Sequence, residues 1–280
     1  MTRIKIITDS TADLPEELLK KHNIESLPLH INFGEESYLD GFEIDTETLF
    51  RKVKEGSVFP TTSQVTPESF YHAYKKYLNE GYTIISVHLS SKLSGTVQSA
   101  FLAKNMLESD DIYIIDSENV TGGLGMLVLK ASAMAERGAE AEDIVKEIER
   151  TKHLIKSSLV FESLEHLVKG GRLSRAAGIA AVVLGIRLIL EIKDGELIVR
   201  SKVRGAKKVV KEVISELEKG INKEETVLLM NCFGDEIYLP LKEYLNEKGI
   251  DYIEAQVGCT VGVHAGPGVA AIFYVAESDS

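Results

Sequence analysis

Two rhythms of apolar and polar positions alternate along the chain. Short apolar runs bounded by turn residues read as strands, and stretches with apolar positions every three or four residues read as helices. Residues 4–8 form the first short apolar run, followed by Asp9-Ser10-Thr11-Ala12-Asp13, a turn rich in capping residues. Pro15 suits a first helical turn, and the helix is predicted to continue over residues 16–22. Residues 24–33 alternate loosely and are predicted as a second strand. Asp45 or Thr46 caps a helix to residue 53. Pro60 makes the start of residues 59–65 irregular, and Thr66-Pro67-Glu68 opens a helix to residue 79. Strands are predicted over 82–89 and 111–116, with a helix over 97–107 between them and helices over 124–137 and 142–153 after them.

The texture changes after about residue 154. Residues 159–162 look like a short strand, and 164–168 like a helix stopped by Gly170-Gly171. Residues 188–192 and 197–203 flank Asp194-Gly195, the signature of a β-hairpin. An amphipathic helix over 205–219, strands over 226–232, 252–257 and 269–275, and a helix over 236–248 complete the pattern. The first half alternates strand and helix, which implies a parallel sheet covered on both faces. The second half mixes hairpin and crossover connections. The expectation is an N-terminal parallel-sheet α/β domain over residues 1–153 and a second α/β domain with a mixed sheet over 154–280, with a ligand between them.

Composition narrows the function. The net charge of −11 argues against general nucleic-acid binding, because nothing neutralises a phosphate backbone. Two isolated cysteines, Cys232 and Cys259, fit a reducing cytoplasm. The apolar run at residues 4–7 is too short for a secretory leader. The most apolar stretch, 176–190, is interrupted by Gly178, Gly185 and Arg187 and falls short of the roughly 20 residues of a membrane span. No histidine or cysteine pair has metal-ligand spacing, so no metal site is expected.

The candidate chemistry centres on residues 90–100, Ser-Ser-Lys-Leu-Ser-Gly-Thr-Val-Gln-Ser-Ala. This strand-to-helix loop offers hydroxyls, one glycine and a helix N-terminus, a place that favours an anion. Lys92 is its only cation, so the loop reads as a cradle of neutral donors for one compact negative head group. Ser94 or Thr96 also suits plain helix capping. Hydroxyls cluster again at 8–11 and at Thr61-Thr62-Ser63. The loops after residues 8, 89 and 116 all fall at strand carboxyl ends, where parallel sheets bind ligands. Ser91-x-x-Ser94-Gly95 lacks the pattern of a hydrolase nucleophile elbow.

His264 stands in the glycine-rich run 262–268, read as a loop, where it donates to an anion, relays a proton or satisfies a loop carbonyl. Lys202, Arg204, Lys207 and Lys208 make the densest basic cluster, a solvated face or a docking patch. Gly170-Gly171-Arg172 reads as a helix stop and Gly122-Gly123-Leu124-Gly125 as close packing at a helix start. Three segments rich in small and branched apolar residues, 97–107, 124–135 and 176–190, suit ordinary core or the walls of an acyl-chain site.

Together these motifs resemble the DegV family. The matching pieces are residues 8–15 (Thr-Asp-Ser-Thr-Ala-Asp-Leu-Pro), 60–64, 90–96 with 98–100, Asp116-Ser117, Gly170-Gly171-Arg172-Leu173-Ser174, Lys202-Val203-Arg204 and Gly266-Pro267-Gly268. They span nearly the whole chain in the family's order. The resemblance implies a protein without its own catalytic centre that buries one long-chain fatty acid between two α/β domains. It further implies the binding subunit of a bacterial fatty acid kinase, which presents the carboxylate to a separate ATP-binding kinase subunit and carries away the acyl phosphate. Carried over by motif, Thr61 or Thr62 and Ser94 hold the carboxylate and His264 completes the network. Arg204, beside Lys202, serves kinase docking or the acyl-phosphate state. No cofactor beyond the bound fatty acid is implied. Val65 and Arg187-Leu188 stand where the family usually has Pro and Lys-Pro. The rival expectation is an acyl or phosphoryl hydrolase using Ser94 with His264.

Overall fold

The computed structural model describes residues 3–56, 58–172 and 186–278. Strand β1 (Arg3–Asp9) is buried along most of its length and lies inside a parallel sheet of order β2-β1-β6-β7. Its partners are β2 (Glu25–Leu27), β6 (Tyr82–His88) and β7 (Ile112–Asp116). Helix α1 (Glu16–Lys21) connects β1 to β2. The segment 24–33, expected to be one strand, is two. Pro28 lies between β2 and β3 (His30–Phe33), and a proline cannot donate to a ladder. Strand β3 leaves the parallel sheet and pairs antiparallel with β4 (Glu36–Leu39) and β5 (Thr61–Ser63). Pro60 stays outside β5, so the irregularity expected over 59–65 ends one residue later.

Helix α2 (Thr46–Glu55) is capped by the Asp45 side chain, which accepts from Thr48 N. Helices α3 (Pro67–Asn79) and α4 (Thr96–Leu107) cover one face of the parallel sheet, with Phe70, Tyr74 and Ala103 packed onto Ile7, Ile84 and Ile112. Val65 joins this cluster and is buried. Helices α5 (Gly122–Glu136) and α6 (Ala141–Thr151) cover the other face.

The second sheet has six strands in the order β10-β9-β8-β13-β11-β12. They are β8 (Ile155–Phe161), β9 (Ile186–Lys193), β10 (Glu196–Arg204), β11 (Val227–Cys232), β12 (Tyr252–Gln256) and β13 (Val269–Val275). Only β11 and β12 run parallel; the other neighbours are antiparallel, so the sheet is mixed as expected. The β9–β10 hairpin turns at Asp194 (φ 50°) and Gly195 (φ 79°), the left-handed pair that a two-residue turn requires. Helix α7 (Glu165–Gly170) follows β8. Helices α8 (Ala206–Gly220) and α9 (Asp235–Lys248) pack on the outer face. Helix α10 (Cys259–Ala265) precedes β13.

Helix α5 lies between the two sheets. A Cβ on Gly122 would stand 2.5 Å from the Phe273 ring, and one on Gly125 would stand 2.8 Å from the Ala12 carbonyl oxygen. The glycine run is therefore the close-packing device expected. Leu124, Leu127 and Val128 fill the core shared by both sheets.

Candidate functional site

A cavity of about 350 Å³ lies between the sheets, beyond the carboxyl ends of β1 and β6. That volume falls in the range of small-molecule sites, roughly 300–1,000 Å³. Its apolar lining includes Leu29, Leu93, Leu159, Phe161, Leu197 and Val269. These come from β8, β13 and the loops and hairpin facing them. Among the described residues none of 97–107, 124–135 or 186–190 lines it. The first two segments were candidate acyl-chain walls; 124–135 packs into the core instead, while 97–107 buries its small residues and leaves Phe101, Leu102 and Met106 exposed. Residues 173–185, which hold most of the third candidate wall and Leu173-Ser174, lie outside the described residues.

The polar end is assembled from three places. Thr62 sits in β5, where alternation turns it inward while Thr61 is exposed and does not line the cavity. Ser94 and Gly95 come from the loop before α4. His264 comes from α10, and here the structure corrects the expectation of a loop. Residues 259–265 are helical because Asp40 caps them. Its carboxylate accepts from Cys259 N at 3.0 Å and Thr260 N at 3.1 Å. Gly262, which suggested a loop, stands against Leu49 and Phe50, where an added Cβ would come within 3.4–3.5 Å.

His264 Nε2 is hydrogen-bonded to Thr62 Oγ1 at 2.9 Å, so residues 202 positions apart meet at the cavity wall. Burial lowers the His264 pKa to about 4, with Arg172 and then His166 adding to the effect. The imidazole is therefore neutral near pH 7, able to donate one hydrogen bond without carrying charge. Its Nδ1 is buried without a partner among the described residues. Gly170 makes room for it: a Cβ there would lie 2.2 Å from Nδ1. The Gly170-Gly171 pair thus does two things, since Gly171 (φ 65°) is the helix stop expected.

Ser94 Oγ is 3.0 Å from Thr96 Oγ1 and accepts from Thr96 N at 3.3 Å. Gly95 has φ −79°, so its turn needs no glycine; the Gln64 carboxamide does, because a Cβ would stand 2.1 Å from Gln64 Oε1. Gln64 Nε2 donates to Ser99 Oγ at 2.7 Å, tying β5 to the head of α4. Asp116 accepts from Ser91 N at 3.2 Å and so steadies the loop without lining the cavity.

Arg172 lines the cavity as its only formally charged side chain among the described residues, and reading it as part of a helix stop missed that. Lys202 and Arg204 lie exposed on β10, the edge strand, away from the cavity lining. Arg187 forms ion pairs with Glu162 and Glu236.

Ser94 and His264 share no hydrogen bond; each is engaged elsewhere. A Ser-His-Asp chain does exist, unforeseen from sequence. Tyr74 Oη donates to Ser86 Oγ at 2.7 Å, Ser86 Oγ pairs with His88 Nε2 at 2.6 Å, and His88 Nδ1 with Asp9 Oδ2 at 2.9 Å. All four side chains are buried, Tyr74 on α3 and the other three on β6 and β1, and none lines the cavity. Its partners lie two residues apart on β6 and across to β1, a spacing that reads as plain strand.

Two covered sheets with a mostly apolar cavity between them, closed at one end by hydroxyls and a neutral histidine, define an α/β protein built to enclose a ligand. The chain belongs to the DegV family: the family model, described as an uncharacterised protein of that family, matches residues 3–277. A DegV domain-containing protein of Clostridium perfringens is 49% identical over 278 residues, covering 99% of this chain and 100% of the relative. A Thermus thermophilus DegV family protein whose structure describes fatty acid binding superposes with a TM-score of 0.92 at 30% identity, over 98% of this chain and 100% of that one. Bacillus subtilis DegV, described as a fatty acid binding protein, gives 0.87 at 30% identity, over 99% and 100%. Among the described residues no helix is long and apolar enough to cross a membrane.

Proposed function

We propose that this protein binds one long-chain fatty acid, with the acyl chain in the cavity and the carboxylate held by Thr62, Ser94 and His264. The observation that carries the reading is the Thr62–His264 pair at the polar end of a mostly apolar cavity. Neutral donors hold a carboxylate without cancelling its charge, leaving it reactive toward a phosphoryl donor. Arg172, near enough to His264 to lower its pKa, adds the one formal positive charge among the described lining residues. The Thermus and Bacillus relatives, described as binding fatty acids, support the reading. Thr61, on the other side of β5, has no part in it.

In the fuller form of this proposal the protein supplies no catalytic centre. A separate cytoplasmic ATP-dependent kinase subunit phosphorylates the bound acid, and this protein carries the acyl phosphate. Lys202 and Arg204, exposed on an edge strand, are the proposed docking residues. The hydrolase alternative needs Ser94 activated by His264, and the separate engagements of the two side chains give it no support.

Protein purified without added lipid and extracted under denaturing conditions tests the first step. One fatty acid per chain is expected, mostly of about 14 to 18 carbons, since each buried CH₂ contributes about 0.8 kcal/mol. Absence of lipid together with no uptake of added acid overturns the reading.

A further inference from the structure

The cavity holds a second group of hydroxyls. Thr11, Thr121 and Thr260 line it and are 0%, 2% and 5% exposed. Thr121 Oγ1 and Thr260 Oγ1 are buried with no hydrogen-bond partner among the described residues. Leaving a hydroxyl unpaired in a low-dielectric interior costs about 1–3 kcal/mol, so such groups call for a partner.

Thr11 differs from the other two. Its backbone N–H and its hydroxyl both donate to Asp9 Oδ1. Asp9 Oδ2 in turn meets His88 Nδ1 at 2.9 Å and accepts from Leu89 N at 3.1 Å. A hydroxyl has one hydrogen, and that of Thr11 is committed, so Thr11 has only lone pairs left to offer. Behind Thr121 lies Asp13, whose carboxyl is close enough to the Thr121 hydroxyl and the Gly258 backbone to interact with both, though no well-formed hydrogen bond reaches either oxygen. Burial holds its carboxyl well above the usual range. The turn after β1 that carries Thr11 packs against both α5 and α10.

With Thr11 able only to accept, this inventory suits a neutral O–H group better than an anion. A carboxylate only accepts, and finds in Thr11 another acceptor. A hydroxyl can donate to Thr11 while accepting from Thr121 or Thr260. Thr260 and His264 are four residues apart on one face of α10, about 5–6 Å between Cβ atoms. The group therefore lies one helical turn from the carboxylate end. We propose that Thr11, Thr121 and Thr260 form a second polar subsite that takes a hydroxyl on the acyl chain, so that the cavity prefers a fatty acid hydroxylated within its first several carbons over the unsubstituted acid. The inference rests on the fatty-acid reading above. A buried water supplies the same O–H chemistry, and the test separates the two sources.

Delipidated protein is titrated with hexadecanoic acid and with its 3-hydroxy, 5-hydroxy and 16-hydroxy derivatives. The 3- or 5-hydroxy acid is expected to bind about fivefold or more tighter than the parent acid, the gain of one or two neutral hydrogen bonds, and the 16-hydroxy acid no tighter. Thr260→Val or Thr121→Val is expected to bring that ratio back to within about twofold of one. Parent acid binding with no preference for any near-end hydroxyl overturns this inference and leaves the fatty-acid reading standing. So does a preference intact in both variants. Tighter binding of the parent acid by Thr260→Val, without a hydroxyl preference in wild type, assigns the subsite to water and also overturns it. Failure of every acid to bind overturns both readings. The wild-type comparison stands without either variant.

Discussion

Thr61 and Thr62 are adjacent and chemically alike, yet strand alternation gives them different surroundings. Thr62→Val keeps the volume, removes the hydroxyl and strands His264 Nε2. Fatty-acid affinity is expected to fall by about 1.5–3 kcal/mol, as for a hydrogen bond to a charged group, and Ser94→Ala should act in the same direction. Wild-type affinity in both, measured by titration, would reduce these hydroxyls to caps. The residue types were legible in the sequence; the choice between the two threonines was not, because it depends on the register of β5 against β3, which pairs Ile31 with Thr62. Asp13 was legible only as a turn residue. Its burial, with Asp40 and Asp9 nearby, raises its pKa well above the ordinary value. A raised folded-state pKa gives stability that is present below the unfolded value and lost as pH rises through the folded one. Asp13→Asn removes that titration. The variant should therefore gain on the parent from about pH 4 upward, the ordinary carboxyl pKa. Denaturant melts of both proteins at several pH values give the difference, and one that stays flat with pH disproves the assignment.

Elements were easier to read than their neighbourhoods. Strand β13 and the hairpin turn stand where periodicity and the Asp-Gly pair put them. Helix α10 was missed because its glycine counts as a breaker, while the Asp40 cap that sustains it lies 219 residues away from Cys259 in sequence. Strands β3 and β5 were blurred by Pro28 and Pro60, each just outside a strand. The end of α7 supplies a test at this scale. Gly170→Ala drives a methyl group into the His264 ring, which Thr62 holds in place. Overpacking of this kind costs about 1–3 kcal/mol, and lipid retention should fall with it. Gly171→Ala meets nothing within 4 Å and bears only the strain of its left-handed backbone, about 1–2 kcal/mol. It should lose stability without losing lipid. Equal lipid loss in both variants, by mass spectrometry, would remove the special role of Gly170.

At the scale of the molecule, strand–helix alternation was enough to foresee a parallel sheet and the hairpin signal a mixed one, and the cavity does lie beyond strand carboxyl ends, where a ligand was expected. The cavity walls were not foreseeable, since apolar runs that line a cavity and apolar runs that fill a core look alike before the sheets are docked. The exposed cations of β10 carry the remaining prediction. If the proposed kinase partnership holds, Arg204→Ala should leave lipid content intact and slow acyl-phosphate formation by that proposed subunit. The defect should shrink as salt rises, because exposed charges are screened over about 8–10 Å near physiological ionic strength. A coupled assay with ATP reads both, and a variant that loses lipid, or one that transfers at the wild-type rate, refutes the docking role.

The seat of α5 has a consequence for how such a chain can change over generations. Gly122 abuts the Phe273 ring and Gly125 abuts the Ala12 carbonyl. A side chain at 122 is open only to a lineage that has already lost the phenyl ring at 273, and a side chain at 125 only to one whose first turn has moved. Positions more than a hundred codons apart are thus bound to drift together, in a fixed order of steps.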